Sequence, residues 1–117
     1  HVLALLRASA ELFGLSLAEW GGLHAIYLDL ASRFQTVILS DVPHMTARQA
    51  SEARRFTWLV DVFYDHKVKL IMSAECEPEG LYTNGPMANE FHRTVSRLLE
   101  MQSREYLESE RRVAATL

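Results

Sequence analysis

Cysteine is almost missing from this chain. Cys76 stands alone among 117 residues, so neither an intramolecular disulfide nor a cysteine-rich metal site can form, and a reducing compartment fits. Metal-site spacings are missing too: the five histidines include no His-Glu-x-x-His and no His-x-His, and His1, His24, His44, His66 and His92 read as solvated or capping residues. There is no Gly-x-Ser-x-Gly elbow of a serine hydrolase and no Gly-x-x-x-x-Gly-Lys-Ser/Thr phosphate loop. The formal charge is only -3, which supplies no global basic field, so no nucleic-acid partner is predicted. Runs of transmembrane length, signal-peptide regions, low-complexity segments and internal repeats are also lacking. With His1 first in place of an initiator Met, residues 1–117 are taken as a single domain or a fragment of a longer protein.

What is present is a folding composition, 49% apolar and 23% charged, in a length that suits one domain. Thr36-Val37-Ile38-Leu39 and Val68-Lys69-Leu70-Ile71-Met72 are short β-branched, apolar runs, stopping at Ser40-Asp41 and Ser73-Ala74-Glu75. Helical periodicity fills the stretch between them, long enough for a crossover, so the fold class is α/β: a strand-helix-strand unit with parallel strands and flanking helices. Thr46 and Gln49 are placed to cap the central helix, which would bury Ala50, Ala53, Phe56, Val60 and Phe63. Trp58, Leu59 and Val62 lie off that stripe and need neighbouring helices or a partner surface.

Upstream, Leu3, Leu6, Ala10 and Phe13 predict a helix over residues 1–13, with an Arg7–Glu11 pair beside it and Gly14 at its end. Ser16-Leu17-Ala18-Glu19 has the form of a capping box, and Gly21-Gly22 predicts a break. A helix over Leu23–Phe34 follows, presenting Leu23, Tyr27, Leu30 and Phe34, with Ile26 beside them and an Asp29–Arg33 pair. Downstream, turns at residues 75–80 and 83–86 lead into one helix from Met87 to about Leu107, burying Phe91, Val95, Leu98 and Gln102. Residues 108–117 are expected to fray.

Few residues invite chemistry. Asp41 ends an apolar parallel strand, where open α/β sheets place ligands; its carboxylate suits either the Mg²⁺ of a nucleotide or a loop-capping bond. Ser73 and Glu75 end the next strand, with the same two uses. Of Arg54 and Arg55, only one can face away from the sheet; Arg54 has Trp58 and Asp61 along its side, and an exposed arginine at a subunit boundary could act on a neighbour's phosphate. Arg93 and Arg97 repel at i,i+4 by about 0.2–0.5 kcal/mol, a cost that Glu100 or an external anion could offset.

From Phe34 to Leu107 the chain resembles the carboxyl-terminal region of the AFG1-like ATPases, a family with a bacterial cell-division branch and mitochondrial relatives. The resemblance rests on Arg33-Phe34, Thr36 through Pro43, Ser51 through Phe56, Leu59-Val60-Asp61, Phe63-Tyr64-Asp65, Val68-Lys69-Leu70, Ser73-Ala74-Glu75 and Leu81-Tyr82. It closes on Phe91 through Leu98, Glu100 through Ser103 and Glu105-Tyr106-Leu107. Val62 and Met87-Ala88-Asn89-Glu90 depart from the family pattern. The resemblance implies part of a P-loop, AAA+-like, ATP- and Mg-dependent enzyme whose nucleotide loop lies upstream. The strand-helix-strand unit would be a degenerate echo of the family's acidic-strand segment, with Asp41 at the acid position and Arg54, Arg55, Arg93 and Arg97 as coupling or phosphate-sensing residues. By the same resemblance the fragment alone binds no cofactor and is inactive. Its partners are the upstream ATPase region, further copies of itself and a division-ring or membrane-associated protein. The implied location is cytoplasmic, peripheral to the inner membrane, or mitochondrial in a eukaryote. The competing class is a non-catalytic protein-interaction module.

Overall fold

Thr36–Val42 forms the central strand, β2, because its β-branched residues suit an extended backbone and its alternate positions face one packed layer. Val37, Leu39 and Val42 are fully buried. In the computed structural model, which describes residues 3–7 and 20–108, β2 lies between β1 (Leu3–Arg7) and β3 (Lys69–Ala74) in an all-parallel sheet. Leu3 pairs with Thr36 and Thr36 with Lys69, so the strands recur at equal spacing along the chain.

Helix α1 (Trp20–Arg33) precedes β2, and α2 (Ala50–Asp65) joins β2 to β3. The two helices pack together, and α3 (Phe91–Glu100) packs on α2. A short helix, α4 (Arg104–Glu108), follows. Ala53, Phe56, Val60 and Phe63 of α2 are buried as their spacing predicts. Leu59 and Val62 are buried as well, with Trp58 half-buried against the same core, so neighbouring elements of this unit take up the off-stripe residues. Each large side chain buried in this way contributes about 1.5–3 kcal/mol.

Four expectations are corrected. The segment predicted as a helix over residues 1–13 holds a strand at Leu3–Arg7; its apolar run satisfies both periods, and pairing with β2 decides between them. The Arg7–Glu11 pair, Phe13, Gly14, the Ser16–Glu19 box and residues 109–117 lie outside the described residues. Gly21-Gly22 does not break the chain but sits in the first turn of α1. Ile26 is 50% exposed while Ala31, a turn beyond Tyr27, is buried. Finally, the predicted long helix after Met87 divides. Gln102 and Ser103 turn back to Leu99 and Glu100 with three-residue bonds, and the Ser103 hydroxyl accepts the Tyr106 N–H at 3.2 Å as the cap of α4. Gln102 is exposed and Tyr106 is buried in its stead.

Among the described residues Asp41, Lys67 and Met87 carry left-handed backbone without being glycine, and the first two stand at junctions of the sheet. At the end of α2, Lys67 has φ 59°. The Val68 N–H reaches Phe63 O at 2.9 Å and the Lys67 N–H reaches Tyr64 O at 3.2 Å, the two bonds of a Schellman turn made without glycine. At the end of β2, Leu39 pairs with Met72 but Val42 with Ala74, so β2 holds one extra residue there. Asp41, with φ 63°, sits in that bulge. The strand therefore runs past Ser40-Asp41 and brings Val42 into the core.

Candidate functional site

The carboxyl ends of β2 and β3 form the first candidate. The bulge leaves Asp41 exposed, on the rim of an open depression of about 280 Å³ lined also by Pro43, Ser73, Ala74 and Glu75. Aspartate suits this backbone because its short polar side chain tolerates left-handed φ. Backbone donors beside the depression are engaged within the chain: Asp41 N–H donates to Ser73 Oγ at 2.8 Å, and His44 N–H to Glu75 Oε1 at 2.6 Å. Glu75 N–H donates to Val42 O at 3.0 Å, and His44 Nδ1–H to Gly80 O at 2.8 Å. Phosphate recognition needs free N–H donors or cations. The lining offers two carboxylates and no cationic side chain, so these residues do not fit a nucleotide phosphate. Ser73 and Glu75 act as ties between strand ends.

Arg93 and Arg97 meet elsewhere, on the α2–α3 face. Both oxygens of Asp61 are used: Arg93 Nη2 donates to Oδ2 at 3.1 Å and Arg97 Nη1 to Oδ1 at 2.5 Å. One carboxylate from α2 thus offsets the like-charge pair on α3. Glu100, the expected partner, is engaged by the Tyr64 hydroxyl at 2.8 Å. That bond, followed by burial, raises the Tyr64 pKa above its ordinary value. The Arg97 guanidinium lies 4.8 Å from the centre of the Tyr64 ring, adding a cation–π contact. A further α2–α3 bond joins Thr94 to Thr57 at 3.1 Å.

Arg54 and Arg55 take other roles. Arg54 is not paired along the helix with Asp61; its guanidinium reaches Met87 Sδ at 3.0 Å, half-buried against the turn before α3. Arg55 is the inward member, 3% exposed and 3.8 Å from Glu52. The four arginines therefore do not converge on one point. Arg93, with 64% of its side chain exposed, is the one best placed to meet another molecule. The Asp61 bridge itself carries no sequence motif, because it joins residues more than thirty apart.

Asp61→Ala would leave Arg93 and Arg97 facing each other unrelieved. Because the groups are only partly buried, solvent screening limits the loss to about 1 kcal/mol. Urea denaturation at low and high salt checks this: the loss should shrink in high salt, and a salt-independent loss would rule out the charge explanation.

The AFG1-like ATPase family model matches residues 15–110. The chain belongs to the AFG1-like ATPase family. Cell division protein ZapE of Escherichia coli K12 is 51% identical over 84 residues, covering 72% of this chain and 22% of that protein. Lactation elevated protein 1 homolog B of Danio rerio is 34% identical over 112 residues, covering 68% and 22%. An uncharacterized protein of Schizosaccharomyces pombe is 37% identical over 62 residues, covering 53% and 14%. No solved structure matches. The chain spans about a fifth of the length of the two more extensively matched AFG1-like relatives. Among the described residues, no helix is long and apolar enough to cross a membrane, and no cluster of His, Cys, Asp and Glu could hold a metal ion.

Proposed function

We propose that this chain is a late, non-hydrolysing part of an ATP- and Mg-dependent AAA+-like enzyme, and that it couples the nucleotide state of the parent protein to assembly. The family match supports the ATPase class. The observation that supports the non-hydrolysing part of the reading is the condition of the strand ends: the Asp41, His44 and Glu75 N–H groups are bonded within the chain, and the depression beside Asp41 is lined by no cationic side chain. The nucleotide loop then lies elsewhere in the parent chain, and no step of hydrolysis passes through Asp41. Arg93 and Arg97, held by Asp61, form the coupling surface toward another part of the parent or a neighbouring copy. The name of the Escherichia coli relative favours a role in cell division; a division-ring or membrane-associated partner at the inner membrane is part of the same proposal. Membrane-associated protein quality control is the corresponding role for a mitochondrial member.

Calorimetry with Mg²⁺ and ATP on the parent chain tests this reading. Asp41→Asn should bind within about twofold of the unsubstituted protein, whereas a loss of about tenfold, near 1.4 kcal/mol, would put the nucleotide at this site and overturn the proposal. The interaction-module alternative loses two of its proposed contact residues, since Leu59 and Val62 are buried in the core.

A further inference from the structure

A cavity of about 170 Å³ opens between the short turn Pro78–Gly80 and the start of α3. Ala88, Phe91, His92 and Val95 line it at the spacing of one helix face, joined by Tyr82. Tyr82 and Phe91 are buried and held from behind: Phe91 stacks on Phe56 and meets Tyr82 edge-on, and the Tyr82 hydroxyl donates to Pro86 O at 2.6 Å. The apolar floor is therefore built in advance. Glu79, Thr83, Asn89 and His92 are exposed and form a polar rim.

A cavity of this size holds one side chain; an apolar hole of about 150 Å³ takes up benzene. The rim selects which. Among the described residues no side chain pairs with the Glu79 carboxylate, nor with Glu77 and Glu90, which stand within two residues of lining ones. An anion would be repelled here, and a purely apolar group would desolvate Glu79 with nothing in return. A guanidinium suits both parts: its flat face packs on aromatic side chains, its N–H fork takes the carboxylate, and Thr83 and Asn89 supply further side-chain oxygens. The more strongly hydrated lysine ammonium suits an aromatic floor less. The residues at which the described chain breaks off lie elsewhere: Arg7 pairs on the β1 edge of the sheet, and Glu108 follows Tyr106, whose hydroxyl meets the end of α2. The start of α3 lies at the other end of α2, beside Arg54. We infer that this cavity receives the side chain of an arginine in a basic segment of a separate partner protein. The site stands on the flank of α3 away from Arg93 and Arg97 and goes beyond the coupling role proposed for them.

Nuclear magnetic resonance tests this on the full-length parent protein with isotope-labelled valine methyl groups. The probe is an acetylated, amidated pentapeptide of four alanines around one central arginine. The Val95 methyl signals should shift saturably, with half-saturation at or below about 10 mM. The same peptide with citrulline, similar in shape but uncharged, should bind at least about fivefold more weakly, and Glu79→Gln should weaken the arginine peptide to a similar degree. Glu79 is exposed, so this variant keeps the fold, and unchanged signals from the other valines verify that. Absence of a Val95 shift, equal affinity for the citrulline peptide, or an unaffected Glu79→Gln variant would each overturn the inference. A shift that appears only after Arg111 and Arg112 are replaced by Ala would overturn it too, by giving the cavity to this chain's own arginines. Nucleotide takes no part in the assay, so its outcome is independent of the ATPase reading.

Discussion

Phe56→Ala is expected to lower the unfolding free energy by about 3–5 kcal/mol. Phe56 is fully buried on α2, and its ring stacks on Phe91 with centroids 6.1 Å apart. Phe91 in turn meets the edge of Tyr82 at 5.6 Å. The chain of three rings fastens α3 and the turn before it to the central helix. Truncation removes both the transfer free energy of the ring and the contacts of its neighbours, which cannot collapse into the space without moving α3. Equilibrium urea denaturation followed by far-UV circular dichroism measures the loss; a change below about 1 kcal/mol would mean that the site repacks and that the ring chain is not a principal fastening.

Tyr106→Phe should cost about 1–3 kcal/mol although it removes a single oxygen. The Tyr106 hydroxyl lies 2.6 Å from Val68 O and 3.0 Å from Phe63 O, its one proton shared between two carbonyls of the Schellman turn that closes α2. Phenylalanine leaves those carbonyls with one donor fewer in a buried place. The ring itself stays, stacked on Tyr64 at 6.1 Å and flanked by the ammonium groups of Lys67 and Lys69 at 5.1 and 5.3 Å, so the measured loss isolates the hydroxyl.

The same group sets an alkaline limit. Burial first, then the neighbouring Tyr64, Glu100 and Asp65, raise the Tyr106 pKa well above its ordinary value of 10.0. A folded-state pKa above the unfolded one means that the unfolded chain ionises first. The contribution to stability is therefore complete below about pH 10 and is lost as pH rises from there through the folded value. Denaturation midpoints measured from pH 8 to 11 should fall more steeply for the unsubstituted protein than for Tyr106→Phe. Tyr64, raised in the same direction, leaves a residual slope in the variant. Parallel profiles would remove Tyr106 from the account.

Legibility in the sequence follows the range of the interactions involved. The strands β2 and β3 and the helix α2 are written locally, in β-branched runs and in the stripe from Ala53 to Phe63, and they are found where the sequence places them. The Asp29–Arg33 pair is equally local, and so is the Thr46–Gln49 box, where Gln49 Oε1 accepts the Thr46 N–H at 2.9 Å, although it caps the short 3-10 turn Ala47–Gln49 leading into α2 and not α2 itself. β1 is misread because Leu and Ala favour a helix in isolation, while the strand is made by its partner β2. The division of α3 from α4 is misread for a similar reason: the reach of Tyr106 to the end of α2 is a tertiary fact. Spacing assigns Asp61 to Arg54, and its bridge to Arg93 and Arg97 is found by neither motif nor spacing, since those partners stand on another helix. Asp41 is singled out in the sequence for its carboxylate at a strand end, whereas its positive φ in a bulge is a backbone feature that no local pattern announces.

The equal spacing of the strands bears on how the chain acquires its form. Leu3 meets Thr36, and Thr36 meets Lys69, across thirty-three residues in each case. No strand pair in this sheet can form as a local hairpin. Each pairing must close a long loop before any ladder bond rewards it, so sheet assembly is entropically slow unless the intervening segment has already shortened itself by becoming helical. During synthesis the first pairing can be made while β3 is still unmade, and the growing chain then presents β2 with one edge waiting. The rate at which α2 winds up governs how long that edge stays open to the wrong strand.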